Sequence, residues 1–231
     1  MPDVEETVSW RELLAEAIGR LSAVGTPSPE IDARRIVEQA SGHEGATSHL
    51  ALDRPATVRG VAALDAMVAR RAQGEPLQYV LGRWGFRTLD LLVDQRVLIP
   101  RPETEAVVEH ALVELDRLAA DRCATVVDLG TGSGAIALSI AAERTRVAMW
   151  AVEVSAGAAA VARANLAGLG RAATRVRIVE GSWFEPVPAD LCGAVDLVVS
   201  NPPYVAAGDE LPPVVADWEP TGALVAGPTG L

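Results

Sequence analysis

Val126-Val127-Asp128-Leu129-Gly130-Thr131-Gly132-Ser133-Gly134-Ala135 has the form of a strand, a glycine-rich turn and the start of a helix. An apolar run without alternation enters a glycine-rich turn, and an apolar segment of small residues leaves it. Strands of that kind are covered on both faces, as in a parallel sheet. A glycine turn between strand and helix brings a ligand against backbone amides at the helix N-terminus, and glycine allows the positive φ that such close approach needs. The G-x-G-x-G spacing departs only slightly from the dinucleotide fingerprint. On this stretch alone a nicotinamide cofactor stays open, as does a turn that merely packs helix on strand.

Working outward, strands are expected over 125–129, 147–154, 176–180 and 195–200, with helices over 135–143 and 155–168. That alternation predicts a doubly wound α/β domain over residues 100–231. Pro100-Arg101-Pro102 opens its first helix, with Glu103 and Glu105 in the first turn, where the dipole favours anions. Residues 74–99 carry aromatic and β-branched runs punctuated by glycine, which suggests a β-hairpin linker. Residues 1–73 read as three or four short helices in a bundle. Ser9-Trp10-Arg11-Glu12 has the form of a capping box. Ser28-Pro29 starts a second helix, and Gly42 ends it.

The chain has 231 residues, 49% of them hydrophobic, so it can bury a sizeable core. Its net charge of −11, with every one of its 20 basic residues arginine, argues against a substrate that is mainly phosphate backbone. No apolar run suits a membrane span, and Met1 to Arg20 lack the apolar stretch of a signal peptide. A cytoplasmic, monomeric protein is expected. Cys123 and Cys192 read as buried free thiols, and no metal site is suggested.

Three further motifs follow strand ends, which face the ligand crevice in such folds. Glu153 ends the second strand, where a carboxylate can accept both ribose hydroxyls of an adenosine; a helix-capping acid is the alternative, although Ser155 already serves as a cap. Trp183, beside Phe184, follows the third strand and could wall an adenine slot, or simply pack in the core. Asn201-Pro202-Pro203-Tyr204 follows the fourth. Two prolines make that turn rigid and rich in acceptors, and Asn201 adds a side-chain acceptor. A pair of fixed acceptors suits a planar NH2 group, against which the Tyr204 ring can pack.

Together the glycine loop, the acidic residue and Asn-Pro-Pro-Tyr resemble the class I methyltransferases that act on planar NH2 groups. Ile99-Pro100-Arg101-Pro102-Glu103-Thr104-Glu105 is similar to the signature of bacterial release factor glutamine methyltransferases, as is Trp218-Glu219-Pro220 before Ala223-Leu224-Val225-Ala226-Gly227. The resemblance spans the whole chain. It implies a Rossmann-like class I methyltransferase sheet after the helical bundle. It also implies S-adenosyl-L-methionine as cofactor and S-adenosyl-L-homocysteine as product, and methylation of the glutamine amide in the Gly-Gly-Gln loop of class I peptide chain release factors. By resemblance Gly130, Thr131, Gly132, Ser133 and Gly134 cradle the methionine part. Glu153 holds the ribose, and Trp183 the adenine. Asn201, Pro202, Pro203 and Tyr204 hold the glutamine, with Asn201 also beside the cofactor. Arg101, Glu103, Thr104 and Glu105 close over the entrance, and the bundle grips the release factor.

Ribosomal-protein glutamine methyltransferases and adenine-N6 nucleic-acid methyltransferases are the alternatives, and a non-catalytic cofactor-binding scaffold is a third. Two departures stand out. Ser182 occupies a position where many relatives carry an acid. The chain also stops at Leu231, short of the last strands of the class, so the sheet is expected to be C-terminally incomplete with an apolar edge on its fourth strand.

Overall fold

The computed structural model describes residues 7–45, 48–119 and 121–230. The first six residues of the expected bundle and the terminal Leu231 lie outside the described residues. The chain divides into two compact units, Met1–Leu81 and Gly82–Leu231.

The first unit is helical: α1 Trp10–Ala23, α2 Pro29–Ser41, α3 Ser48–Ala51, α4 Val58–Ala72 and α5 Leu77–Leu81. The capping box at Ser9 and Glu12 is formed from both sides. Ser28 stands at the N-cap of α2 before Pro29, but its side chain makes no cap hydrogen bond; Gly42 ends that helix at φ +70°. Trp10, Leu13, Ala17 and Leu21 of α1 bury their stripe against Ile36 of α2 and Leu64 and Val68 of α4. The hairpin reading of residues 74–99 needs a correction at its start, because 77–81 is the short helix α5. Five residues cannot sustain a helix alone. Here the Arg70 guanidinium takes the carbonyls of Tyr79 and Val80 while also pairing with Glu75.

The second unit begins with the antiparallel pair β1 Arg83–Phe86 and β2 Leu89–Leu92. Its turn residue Arg87 lies at φ +50°. It is pinned by its N–H to Glu105 Oε1 (2.9 Å) and by its guanidinium to both oxygens of Glu143. Then come α6 Pro102–Leu118, β3 Ala124–Leu129, α7 Ala135–Glu143, β4 Val147–Glu153, α8 Ala156–Ala167, β5 Val176–Glu180, β6 Leu197–Ser200 and α9 Pro213–Trp218. The four strands β3 to β6 are parallel, in the order β5-β4-β3-β6. Val126 and Val127 of the central β3 are fully buried, as expected of a strand covered on both faces. The order reverses between β3 and β6, which makes the carboxyl ends of those strands the natural ligand crevice.

Among the described strands β6 is an edge, and its Val198 is exposed. The chain beyond it is tied back: Val205 bridges Val225, with hydrogen bonds from Val205 N–H to Leu224 O and from Ala226 N–H to Val205 O. Cys123 and Cys192 are free but exposed, against the expectation of burial, because each sits just outside the apolar segment that suggested it. Cys123 precedes β3, and Cys192 caps a 3-10 turn over Ala189–Leu191.

Candidate functional site

At the carboxyl ends of β3, β4 and β6 lies a cleft of about 350 Å³, within the size range of small-molecule sites. It is lined by the glycine loop, Glu153, Asn201 and Pro203, and roofed by Arg101, Thr104 and the Pro220–Ala223 turn.

The loop is built on backbone hydrogen bonds. The N–H groups of Gly130 and Thr131 both donate to Val152 O, and Gly134 N–H donates to Thr131 O. Gly130 and Gly132 stand at φ +73° and +58°, with open space where a Cβ would project. A side chain at either position would be strained and would fill the cleft. Gly134, at φ +87°, is the N-cap of α7, so the dipole of that helix points at the loop.

Glu153 is buried at the cleft wall and adds a second tie between the loop and β4, beside the Val152 carbonyl. Its Oε2 accepts from Gly132 N–H at 2.8 Å and its Oε1 from Ser155 N–H at 2.9 Å. Ser155, by contrast, caps α8 by accepting from Ala158 N–H. Each carboxylate oxygen has a second lone pair, so Glu153 keeps acceptor capacity toward the cleft.

Beneath the loop lies Asp128, which sequence reasoning did not single out. It is fully buried. Its Oδ2 accepts from the Thr131 hydroxyl at 2.6 Å, and its Oδ1 has no hydrogen-bond partner among the described residues. Burial pushes this carboxyl up to about 6, against the lowering effect of the Thr131 hydroxyl and the Ala137 N–H, with the charge of Glu153 adding to the rise. Glu219, in the Trp218-Glu219-Pro220 motif, is a second such residue. Its buried carboxylate accepts from Ile99 N–H at 3.2 Å and from the Arg101 guanidinium at 2.5 Å. It thereby fastens the approach to α6 against the segment that follows α9.

Asn201 is half-buried, and its Nδ2 donates to Thr104 Oγ1 at 3.2 Å, across 97 residues of sequence. Ser200, just before it, donates its hydroxyl to Leu129 O at 2.7 Å. Asn201, Pro203, Arg101 and Thr104 therefore join the glycine loop and Glu153 in one cleft. Pro202 and Tyr204 stand on the open side of the turn, Tyr204 with 74% of its surface exposed.

The other candidates lie elsewhere. Glu103 is exposed at the start of α6, and Glu105 is taken by the hairpin turn at Arg87; neither lines the cleft. Trp183 does not line it either. It is 65% exposed at φ +48°, with Phe184 exposed beside it, so core packing is excluded for both.

The cleft fits S-adenosylmethionine on three counts: its volume, the open space over Gly130 and Gly132, and a carboxylate with spare lone pairs at the end of β4. Among the described residues no group of His, Cys, Asp and Glu could hold a metal ion, and no helix is long and apolar enough to cross a membrane.

Two family models match. One, described as the PrmC N-terminal domain, covers residues 12–82, and the other, described as the methyltransferase small domain, covers residues 110–217. A release factor glutamine methyltransferase from Geobacter sulfurreducens is 37% identical over 100% of this chain and 78% of that protein. One from Mycolicibacterium smegmatis is 40% identical over 96% of this chain and 75% of that protein. Among solved structures, a SAM-dependent methyltransferase from Geobacter sulfurreducens in complex with S-adenosyl-L-homocysteine is 25% identical, covering 38% of this chain and 31% of that chain at a TM-score of 0.28.

Proposed function

Because this chain belongs to the release factor glutamine methyltransferase family and is an S-adenosylmethionine-dependent methyltransferase, we propose that it methylates the side-chain amide nitrogen, N5, of the glutamine in the Gly-Gly-Gln loop of class I peptide chain release factors. One observation carries the proposal. The Asn201 side chain faces the cleft with its nitrogen engaged by Thr104, which leaves its oxygen to accept from a planar NH2 group.

In this reading the Gly130–Gly134 loop holds the methionine part of the cofactor and Glu153 the ribose. Trp183, exposed near the end of β5, is left to cover the adenine edge. The helical unit docks the release factor outside its glutamine loop. The bound cofactor supplies a methyl group already activated on a sulfonium.

The protein's task is then placement. An amide nitrogen is a poor nucleophile because its lone pair is delocalised into the carbonyl. Asn201 Oδ1 and the Pro202 carbonyl each accept one hydrogen of the amide and aim its nitrogen at the methyl carbon. Such alignment supplies about 7–11 kcal/mol at best, and the same acceptors stabilise the positive charge that grows on nitrogen as the methyl–sulfur bond breaks, until one amide proton leaves to solvent. Tyr204, exposed on the solvent side of the turn, packs against the flat amide in this reading as the protein substrate arrives. The net charge of −11 favours a protein over a nucleic acid as the owner of the NH2 group.

Asn201→Ala tests the reading. The turnover number should fall by about 100-fold or more, the scale of losing one preorganised charge-stabilising group, while cofactor affinity measured by calorimetry barely changes. Unchanged turnover in that variant sinks the proposal.

A further inference from the structure

Resting on the methyl-transfer reading above, we propose that Thr104 is a positioning residue whose hydroxyl tethers the Asn201 side chain at the cleft and so holds its oxygen where an incoming carboxamide needs an acceptor. The two ends of an asparagine side chain are nearly the same size but opposite in hydrogen bonding. With the oxygen toward the cleft, Asn201 accepts from an incoming NH2 group. Rotated by half a turn it would present N–H instead, repelling that NH2 group and welcoming a glutamate carboxylate.

Among the described residues the Asn201 side chain is held in the first of these orientations by Asn201 Nδ2 donating to Thr104 Oγ1 at 3.2 Å. Thr104 is well placed to make it. It is buried and lines the same cleft, one turn into a helix whose start is fixed by Pro102, and its N–H donates to Arg101 O at 3.0 Å. Arg101 is in turn held by the buried carboxylate of Glu219. On the other side, Ser200 is anchored to Leu129 O. Both partners are thus set on independently fixed backbone, so that one hydrogen bond can hold the Asn201 side chain in place.

Thr104→Val keeps the shape of the side chain and removes the acceptor, while Thr104→Ser keeps the hydroxyl. At saturating cofactor, Thr104→Val should lose about 10- to 100-fold in kcat on a release factor, the scale of a misplaced reacting group. Its cofactor affinity should stay within about twofold of the wild type, a change worth less than about 0.5 kcal/mol. Thr104→Ser should restore most of the rate. The preference of the S-adenosylhomocysteine complex for a peptide carrying the loop glutamine over one carrying glutamate should shrink in Thr104→Val and return in Thr104→Ser. Wild-type kcat and preference in Thr104→Val would overturn the inference. So would a loss of cofactor affinity in step with kcat, because the hydroxyl would then be supporting the cleft as a whole. Should Thr104→Val fail to fold, Thr104→Ala carries the same expectations.

An arm independent of turnover separates this inference from the functional reading. The side-chain NH2 resonances of Asn201, assigned by their loss in Asn201→Asp, should exchange faster with solvent in Thr104→Val than in the wild type or Thr104→Ser. Equal exchange in all three refutes the role of Thr104, even if no release factor proves to be a substrate. Failure of the wild type to methylate any release factor, with the exchange difference intact, refutes only the functional reading.

Discussion

Asp128→Asn gives the sharpest test of how the cofactor loop is supported. The Asp128 carboxyl is fully buried, and burial raises it from the ordinary 3.8 to about 6. A carboxyl raised in the folded state binds more protons there than in the unfolded chain at pH values between the two. Stability therefore falls as pH rises through that window, and the full cost is present above about 6. The difference of roughly two pH units corresponds to about 3 kcal/mol. Asparagine cannot ionise, so it escapes this cost, but it places an NH2 where Oδ1 has no partner among the described residues. That unpaired donor costs about 1–3 kcal/mol at every pH.

Because the second effect is constant, the informative quantity is a difference of differences. Relative to the wild type, the variant should gain about 2 kcal/mol in unfolding free energy between roughly pH 4.5 and 8, whatever its offset. Urea unfolding of both proteins across that range, followed by circular dichroism, measures it, and the other titrating groups cancel. A flat difference would show that Asp128 titrates like an exposed carboxyl, and the account of the loop's support would fail.

Gly60→Ala would ordinarily stabilise a helix interior by about 0.5–1 kcal/mol. Here the added Cβ would meet Trp10 Cη2 at 2.7 Å, so a destabilisation of about 1–3 kcal/mol is expected instead; a raised melting temperature would contradict it. Glu219→Ala strips the partner from the buried Ile99 N–H and from Arg101. It should cost about 1–3 kcal/mol and weaken cofactor binding in calorimetry, since Arg101 and Pro220 roof the cleft. Cofactor affinity equal to the wild type would show that this fastening does not shape the cleft.

The sheet was legible because its signal is local. Each core strand is a short apolar run between glycines or polar turns, and the structure holds β3 over Ala124–Leu129, β4 over Val147–Glu153 and β5 over Val176–Glu180, within a residue of the expected spans. The helices α3 and α5 were not legible. At four and five residues they are too short to show a helical period, and α5 depends on Arg70, which no local pattern reveals. The glycine loop, Glu153 and Asn201 were legible as motifs at strand ends. What joins them was not. Thr104 meets Asn201 across 97 residues and Arg101 meets Glu219 across 118, and periodicity carries no information at such separations. Asp128 lies inside the strand–glycine motif, yet only its complete burial, with one oxygen lacking a partner among the described residues, marks it as more than a strand residue. Glu105 stood in the motif but serves the hairpin turn at Arg87, a contact that depends on how the hairpin packs.

In the proposed reaction the Asn201 turn presents a release factor's loop glutamine to the cofactor cleft. Mass spectrometry of a class I release factor after incubation with the protein and S-adenosylmethionine tests it most directly. One added methyl group is expected on the glutamine of the Gly-Gly-Gln loop, absent when that glutamine is replaced and formed about 100-fold more slowly with Asn201→Ala. A methyl group found instead on a ribosomal protein or on adenine in nucleic acid, with the release factor unmodified, would contradict it.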